Sequence, residues 1–209
     1  MENASKALLM AGTILISVMV ISALVFAYRD LTSVKRQESE NQKVEEIAEF
    51  NKSFESYGKE LKGAQMFSLA NKITDYNAKY AGKDGYEAIT LTVNSNGNTE
   101  NAQYYTGLQT GVDNIMKKYK SSNYLEALHE AYEKQTRGSQ QEKEQADKTI
   151  EEITKKIGDN AKIEHLSKIN EEYDTYNKYK TIKNKTFKSD GITYYSNGRI
   201  QSMTYRESN

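Results

Sequence analysis

Residues Ala7 to Ala27 read ALLMAGTILISVMVISALVFA, 21 consecutive positions without a charge, a proline or a histidine. Thr13, Ser17 and Ser22 are its polar side chains. As a helix rising about 1.5 Å per residue, the stretch is roughly 32 Å long and matches a hydrocarbon core of about 30 Å. Eleven of its residues are Leu, Ile, Val or Phe, and each favours insertion by roughly 0.3 to 0.6 kcal/mol at the bilayer centre. The reading is a transmembrane helix over 7–27 behind a short flank, 1–6, with the lipid bilayer as its first partner. Two alternatives compete with it. A cleavable signal peptide has a shorter apolar region of about 7 to 15 residues, although Val25, Phe26 and Ala27 would serve as a small-residue cleavage site. A buried core helix would need apolar surroundings, and the polar remainder of the chain offers few.

Beyond the apolar run, composition excludes more than it assigns. The 209 residues carry 29 Lys and Arg against 29 Asp and Glu, interleaved along the chain. That balance marks no nucleic-acid surface, and the charges read as a solvated face. Cysteine is absent, which removes disulfides, thiol nucleophiles and thiolate metal sites. Sixteen tyrosines without a tryptophan, among many Asn, Ser and Thr, resemble the surfaces of exported bacterial proteins. With no proline there is no stiff proline-rich linker.

From residue 28 onward, hydrophobic spacing divides the chain. Ile47, Phe50, Phe54, Tyr57 and Leu61 recur at steps of three and four, the spacing of one helical stripe, with Val44 leading in. These five form the candidate packing and interaction surface of a helical stalk over 28–63. Lys62 and Gly63 break the pattern. A second stripe at Met66, Leu69, Ile73, Tyr76 and Tyr80 ends at Gly82. Around Ile89, Leu91 and Val93 the period changes to two, which predicts a strand, and Asn94, Ser95, Asn96 and Gly97 form a turn. Helical spacing returns from Leu108 to Tyr119, and again at Leu125, Leu128 and Tyr132 after a cap at Ser122. Gly138 to Glu144 is too polar to bury. Two more helices follow, through Ile150, Ile153 and Ile157 and through Ile163, Leu166, Ile169, Tyr173 and Tyr176. Thr181 to Phe187, Ile192 to Tyr195 and Arg199 to Tyr205 are β-prone runs joined at Asp190-Gly191 and Asn197-Gly198, pairs that accept tight hairpin turns. The fold class is α+β: an N-terminal transmembrane helix continuing into amphipathic helices, an extracytoplasmic domain over 64–209, and a small antiparallel β-meander at the C-terminus.

Chemistry is scarce in this pattern. His129 and His165 are the available neutral-pH bases, each within a helical stretch and neither accompanied by a nucleophile at motif spacing. Asn94, Asn96 and Glu100 around Gly97 lack the Asp ligands and spacing of a calcium loop, so a turn is the better reading. Catalytic, cofactor and metal residues are accordingly assigned as none. The sequons at Asn51 and Asn184 receive no role.

An apolar N-terminal helix running into a long amphipathic helix, then a domain closed by a meander, resembles the architecture of type IV pilins and pseudopilins. The leader motif of that class, Gly before an aromatic residue with Glu at the fifth mature position, is not found in Met1 to Lys6. The segments MENASKALL, EEIAEFNKSFESYGK, LANKITDYN and GITYYSNGRIQSMTYRE are similar to an uncharacterised family of single-pass membrane proteins of Gram-positive anaerobes. That family resemblance supports the layout and brings no activity with it. The leading expectation is a non-enzymatic, membrane-anchored bacterial surface protein, pilin-like in plan, as a filament or secretion-system subunit with self-association or pilus-assembly partners. The alternative is a monomeric anchored module that binds an envelope polymer or peptide. Orientation is contested by charge. Lys6 stands before the anchor against Arg29, Lys35, Arg36 and Lys43 after it, which under the positive-inside rule favours a cytoplasmic domain. The signal-anchor-like amino end and exported-type composition argue for the opposite side, and large domains translocate regardless of flanking charge. The extracytoplasmic placement is the one expected.

Overall fold

The computed structural model describes residues 2–83, 86–158 and 166–208. It divides into two compact units, Met1–Lys52 and Ser53–Asn209.

The first unit is helical. Helix α1, Glu2–Glu55, begins in it, and the apolar side chains from Leu8 to Phe26 stand open at half or more of their full exposure. One segment of α1 is long and apolar enough to cross a membrane. Its hydroxyls are satisfied within the helix: Thr13 donates to the Met10 carbonyl, Ser17 to that of Thr13 and Ser22 to that of Val18, each at 2.8 Å. Back-bonding of this kind lets polar side chains sit in hydrocarbon without an orphaned donor.

The second unit is α+β. Its sheet has the order β1-β4-β5-β2-β3, built from β1 (Glu60–Lys62), β2 (Thr90–Ser95), β3 (Asn98–Glu100), β4 (Thr186–Tyr194) and β5 (Ile200–Ser208). Every pairing is antiparallel except β2 with β5, which is parallel. The strand expected to end at Val93 thus joins the C-terminal pair, through Leu91–Met203 and Val93–Tyr205. Helices α2 (Gly63–Tyr80), α3 (Ala102–Tyr119) and α6 (Leu166–Asn184) pack together and bury Met66, Phe67, Leu69, Ile73, Tyr105 and Val112. Leu61, Phe187, Met203, Tyr205, Leu91 and Val93 fill the sheet's inner face, all buried. Thr90, Asn94, Lys188 and Arg206 are exposed on the strands, the alternation of a sheet wetted on one side. A second, smaller core joins the end of α3 to α4 (Ser122–Arg137) and α5 (Gln140–Ile157) through Tyr119, Leu125, Leu128, Ile153 and Ile157.

Several elements differ in detail from the periodicity. Helix α1 stops at Glu55: the Tyr57 and Gly58 amides bond back to the Phe54 and Glu55 carbonyls, and Gly58 takes a positive φ of 79°. Leu61 therefore lies in β1, and Gly63 opens α2 instead of separating two stripes. Ser121, not Ser122, caps α4, accepting a hydrogen bond from the Asn123 amide at 3.2 Å. The C-terminal run Thr181 to Phe187 is divided, with Thr181–Asn184 completing α6. Asp190 and Gly191 do not turn the chain. They sit inside β4, where the register against β5 shifts between Ser189 and Gly191, so the pair makes a bulge and one antiparallel hairpin remains. Its turn is at Asn197-Gly198, where the Gly198 amide donates to the Tyr195 carbonyl at 2.9 Å and Gly198 has φ 84°. Ile163 and His165 lie outside the described residues.

Candidate functional site

The stripe read from sequence separates into two parts. Ile47 and Phe50 are half-buried residues of the first unit. In the second unit, Phe54 is 2% exposed, Tyr57 is half-buried and Leu61 is fully buried. Phe54 meets the Tyr76 ring edge-on at 6.0 Å, and the Lys72 ammonium lies 4.5 Å from its centroid. Burial of Lys72 lowers its pKa. Phe54 at the end of α1 and Leu61 in β1 are both core residues of this unit.

The inner face of the sheet changes character at one corner. Along β2, buried Leu91 and Val93 are followed on the same side by Ser95. On the neighbouring strands Glu100 opposes Val93 and Asn98 opposes Ser95, while Glu207 lies two residues beyond Tyr205, the partner of Val93. The alternation that places Leu and Val under the helices therefore continues with polar side chains. A cavity of about 280 Å³ opens there, lined by Ser95, Asn96, Asn98, Glu100, Tyr104, Tyr105, Lys178, Thr181, Ile182 and Lys185. A second concavity of about 450 Å³ shares Ser95, Asn96 and Asn98 and reaches Glu207.

The floor is a charge-balanced network. The Lys185 ammonium lies 2.8 Å from each Glu207 carboxylate oxygen, and the Ser95 hydroxyl donates to one of them. Burial of Glu207 works against ionisation. The hydrogen bonds from Lys185 and Ser95, with the Lys185 charge, outweigh it and hold the pKa below the ordinary carboxylate value. On the wall, the Lys178 ammonium stands 5.0 Å from the centroid of the Tyr104 ring. Its interaction with Tyr104 raises its pKa. Tyr105 behind them is buried, which raises its pKa strongly.

Local sequence explains why these groups meet. Asn96 and Gly97 have φ of 50° and 79°, the double positive φ of a two-residue hairpin turn of type I′. That turn folds β3 back beside β2 and brings Asn98 and Glu100 onto the inner side. Asn101 then starts α3, its side chain accepting a hydrogen bond from the Tyr104 amide at 3.0 Å, which fixes Tyr104 at the rim. Lys178, Thr181, Ile182 and Lys185 follow one another at steps of three, one and three, the spacing of a single helical face near the end of α6.

Other sequence candidates are dispersed. His129 stacks on Tyr173 at 3.8 Å between ring centroids, joining α4 to α6, and does not line the cleft. Asn94 is tied to its own hairpin, accepting from the Thr99 hydroxyl at 3.0 Å. Among the described residues no three His, Cys, Asp or Glu side chains converge as a metal ion would require. Tyr104, Lys178, Lys185 and Glu207 were not singled out by sequence. The signal that pointed nearest was the Asn94, Asn96, Glu100 group around Gly97, which marks one wall of the cleft. No family model matches the chain, and neither a curated protein nor a solved structure is significantly similar to it.

Proposed function

We propose that this chain is a single-pass membrane-anchored, non-enzymatic surface protein whose Ser53–Asn209 unit is a recognition module displayed outside the cell. The observation that carries the anchor is α1, whose membrane-length apolar segment is 0% buried. A water-soluble protein rarely leaves so continuous an apolar surface open. Recognition, and not catalysis, is supported by the cleft. Glu207 beside it, half-buried, is committed to Lys185 and Ser95, with a pKa moved away from the neutral range a general acid or base needs. The lining itself is a set of amides, hydroxyls and opposite charges suited to hydrogen bonding.

A second reading, a pilin-like filament or secretion-assembly subunit, is favoured by the open apolar helix, since such assemblies pack helices of this kind together. Two measurements test these readings. Membranes from expressing cells, washed at alkaline pH, should retain the chain in the pellet. Recovery in the wash would show that α1 is not an anchor. Electron micrographs of sheared cells should show no filaments dependent on the chain; filaments that vanish on its deletion would replace the module with the subunit.

A further inference from the structure

We propose that the cleft between the β2–β3 hairpin and α6 is a carbohydrate site that takes a neutral, hydroxyl-bearing sugar unit. The inference rests on the recognition-module reading and names its ligand class. Charge selects first. Glu100 and Lys178 place one carboxylate and one ammonium on the lining, and Lys185, also on the lining, is neutralised by Glu207 of the adjoining concavity. A polyanion would meet Glu100 and a polycation Lys178, while an apolar ligand would strip water from both without replacing their hydrogen bonds. Sugar hydroxyls both donate and accept. They match a lining in which the Asn96 and Asn98 amides offer both functions, Glu100 accepts and Lys178 donates.

Backbone geometry separates a sugar from an extended peptide. A peptide recognised at a sheet edge gains its affinity from a row of main-chain hydrogen bonds. Ser95 and Asn98 flank the two-residue turn, so they are the hydrogen-bonded pair and turn their backbone groups toward each other. Glu100, opposite Val93, does the same. Within β3, Thr99 alone, opposite Asn94, directs its N–H and carbonyl outward. One residue is too short an edge for strand addition, so side chains must supply the recognition.

The test uses the full chain, purified in a detergent that is not a glycoside and titrated calorimetrically with triacetylchitotriose, cellotriose and maltotriose. At least one should bind saturably with a dissociation constant below about 1 mM. Asn98→Ala and Glu100→Gln should each weaken that binding by about tenfold or more with unchanged melting temperature. The proposal is overturned if no sugar saturates in that range, or if both variants bind as the parent does. It is equally overturned if a random octapeptide pool is captured in place of the sugars and lost in the same variants. Extraction of the same preparation keeps the two readings apart. A chain that needs detergent to leave the membrane remains an anchored protein whatever the sugars do, whereas one that leaves without it fails as an anchored module even if a sugar binds.

Discussion

Gly63 opens α2 directly against the backbone of Ile182 near the end of α6: a Cβ built on Gly63 would lie 1.8 Å from the Ile182 carbonyl oxygen and 2.7 Å from the Lys183 Cα. The Gly63 amide also donates to the Lys185 carbonyl at 2.8 Å. The junction holds α2 to the C-terminal end of α6, the same end that delivers Lys185 to the cleft floor. Backbone cannot rotate out of the way as a side chain can, so Gly63→Ala should cost at least about 3 kcal/mol, the upper part of the overpacking range. Gly107 supplies the contrast, since a Cβ there meets nothing within 4 Å. Gly107→Ala in mid-helix should be neutral or stabilising by about 0.5 to 1 kcal/mol. Denaturant melts of both variants check the pair, and equal midpoints would show that the α2–α6 junction is looser than the structure has it.

Phe54 gives a second contrast. It is 2% exposed and packed on Tyr76, so Phe54→Ala should lose about 3 to 5 kcal/mol. Val44, 66% exposed on the same helix, should change stability by less than about 0.5 kcal/mol when replaced by alanine. Chemical denaturation followed by tyrosine fluorescence reads the difference. A Phe54→Ala variant as stable as the parent would remove Phe54 from the core.

Much of this architecture was legible because it depends on local pattern. The apolar run, the alternation at Leu91 and Val93, the Asn96-Gly97 and Asn197-Gly198 turns and the stripe from Met66 to Tyr80 each declare themselves within a few residues. What misled was local chemistry that suits two conformations. An Asp-Gly pair fits a hairpin turn and a bulge equally well, and β5, pairing with β4 on both sides of Gly191, decided for the bulge. Thr181 and Ile182 favour strands by type, yet burial of Ile182 keeps them in α6. Leu61 kept helical spacing by coincidence, because the turn at Gly58 ends α1 before it. The cleft was the least visible part. Ser95, Lys185 and Glu207 are separated by 90 and 22 residues, and no spacing rule connects them.

Acid should weaken the corner around Glu207. Its pKa is held below the ordinary value of 4.5, so the folded state favours the ionised form more than the unfolded chain does. The resulting stability is complete above that ordinary value and is lost as pH falls through the lower folded one. Thermal melts of the parent and Glu207→Gln should differ most at neutral pH and converge as the pH falls below the ordinary carboxylate value and through the lower folded one. A gap that widened on acidification would contradict the Lys185–Glu207–Ser95 arrangement.

Protease added to intact, wall-stripped expressing cells tests the proposal that α1 anchors the Ser53–Asn209 unit on the outer side of a membrane. The expected result is digestion of the chain beyond Tyr28 while a cytoplasmic control protein survives. Protection of the domain until the membrane is permeabilised would contradict the account and place the cleft on the cytoplasmic side.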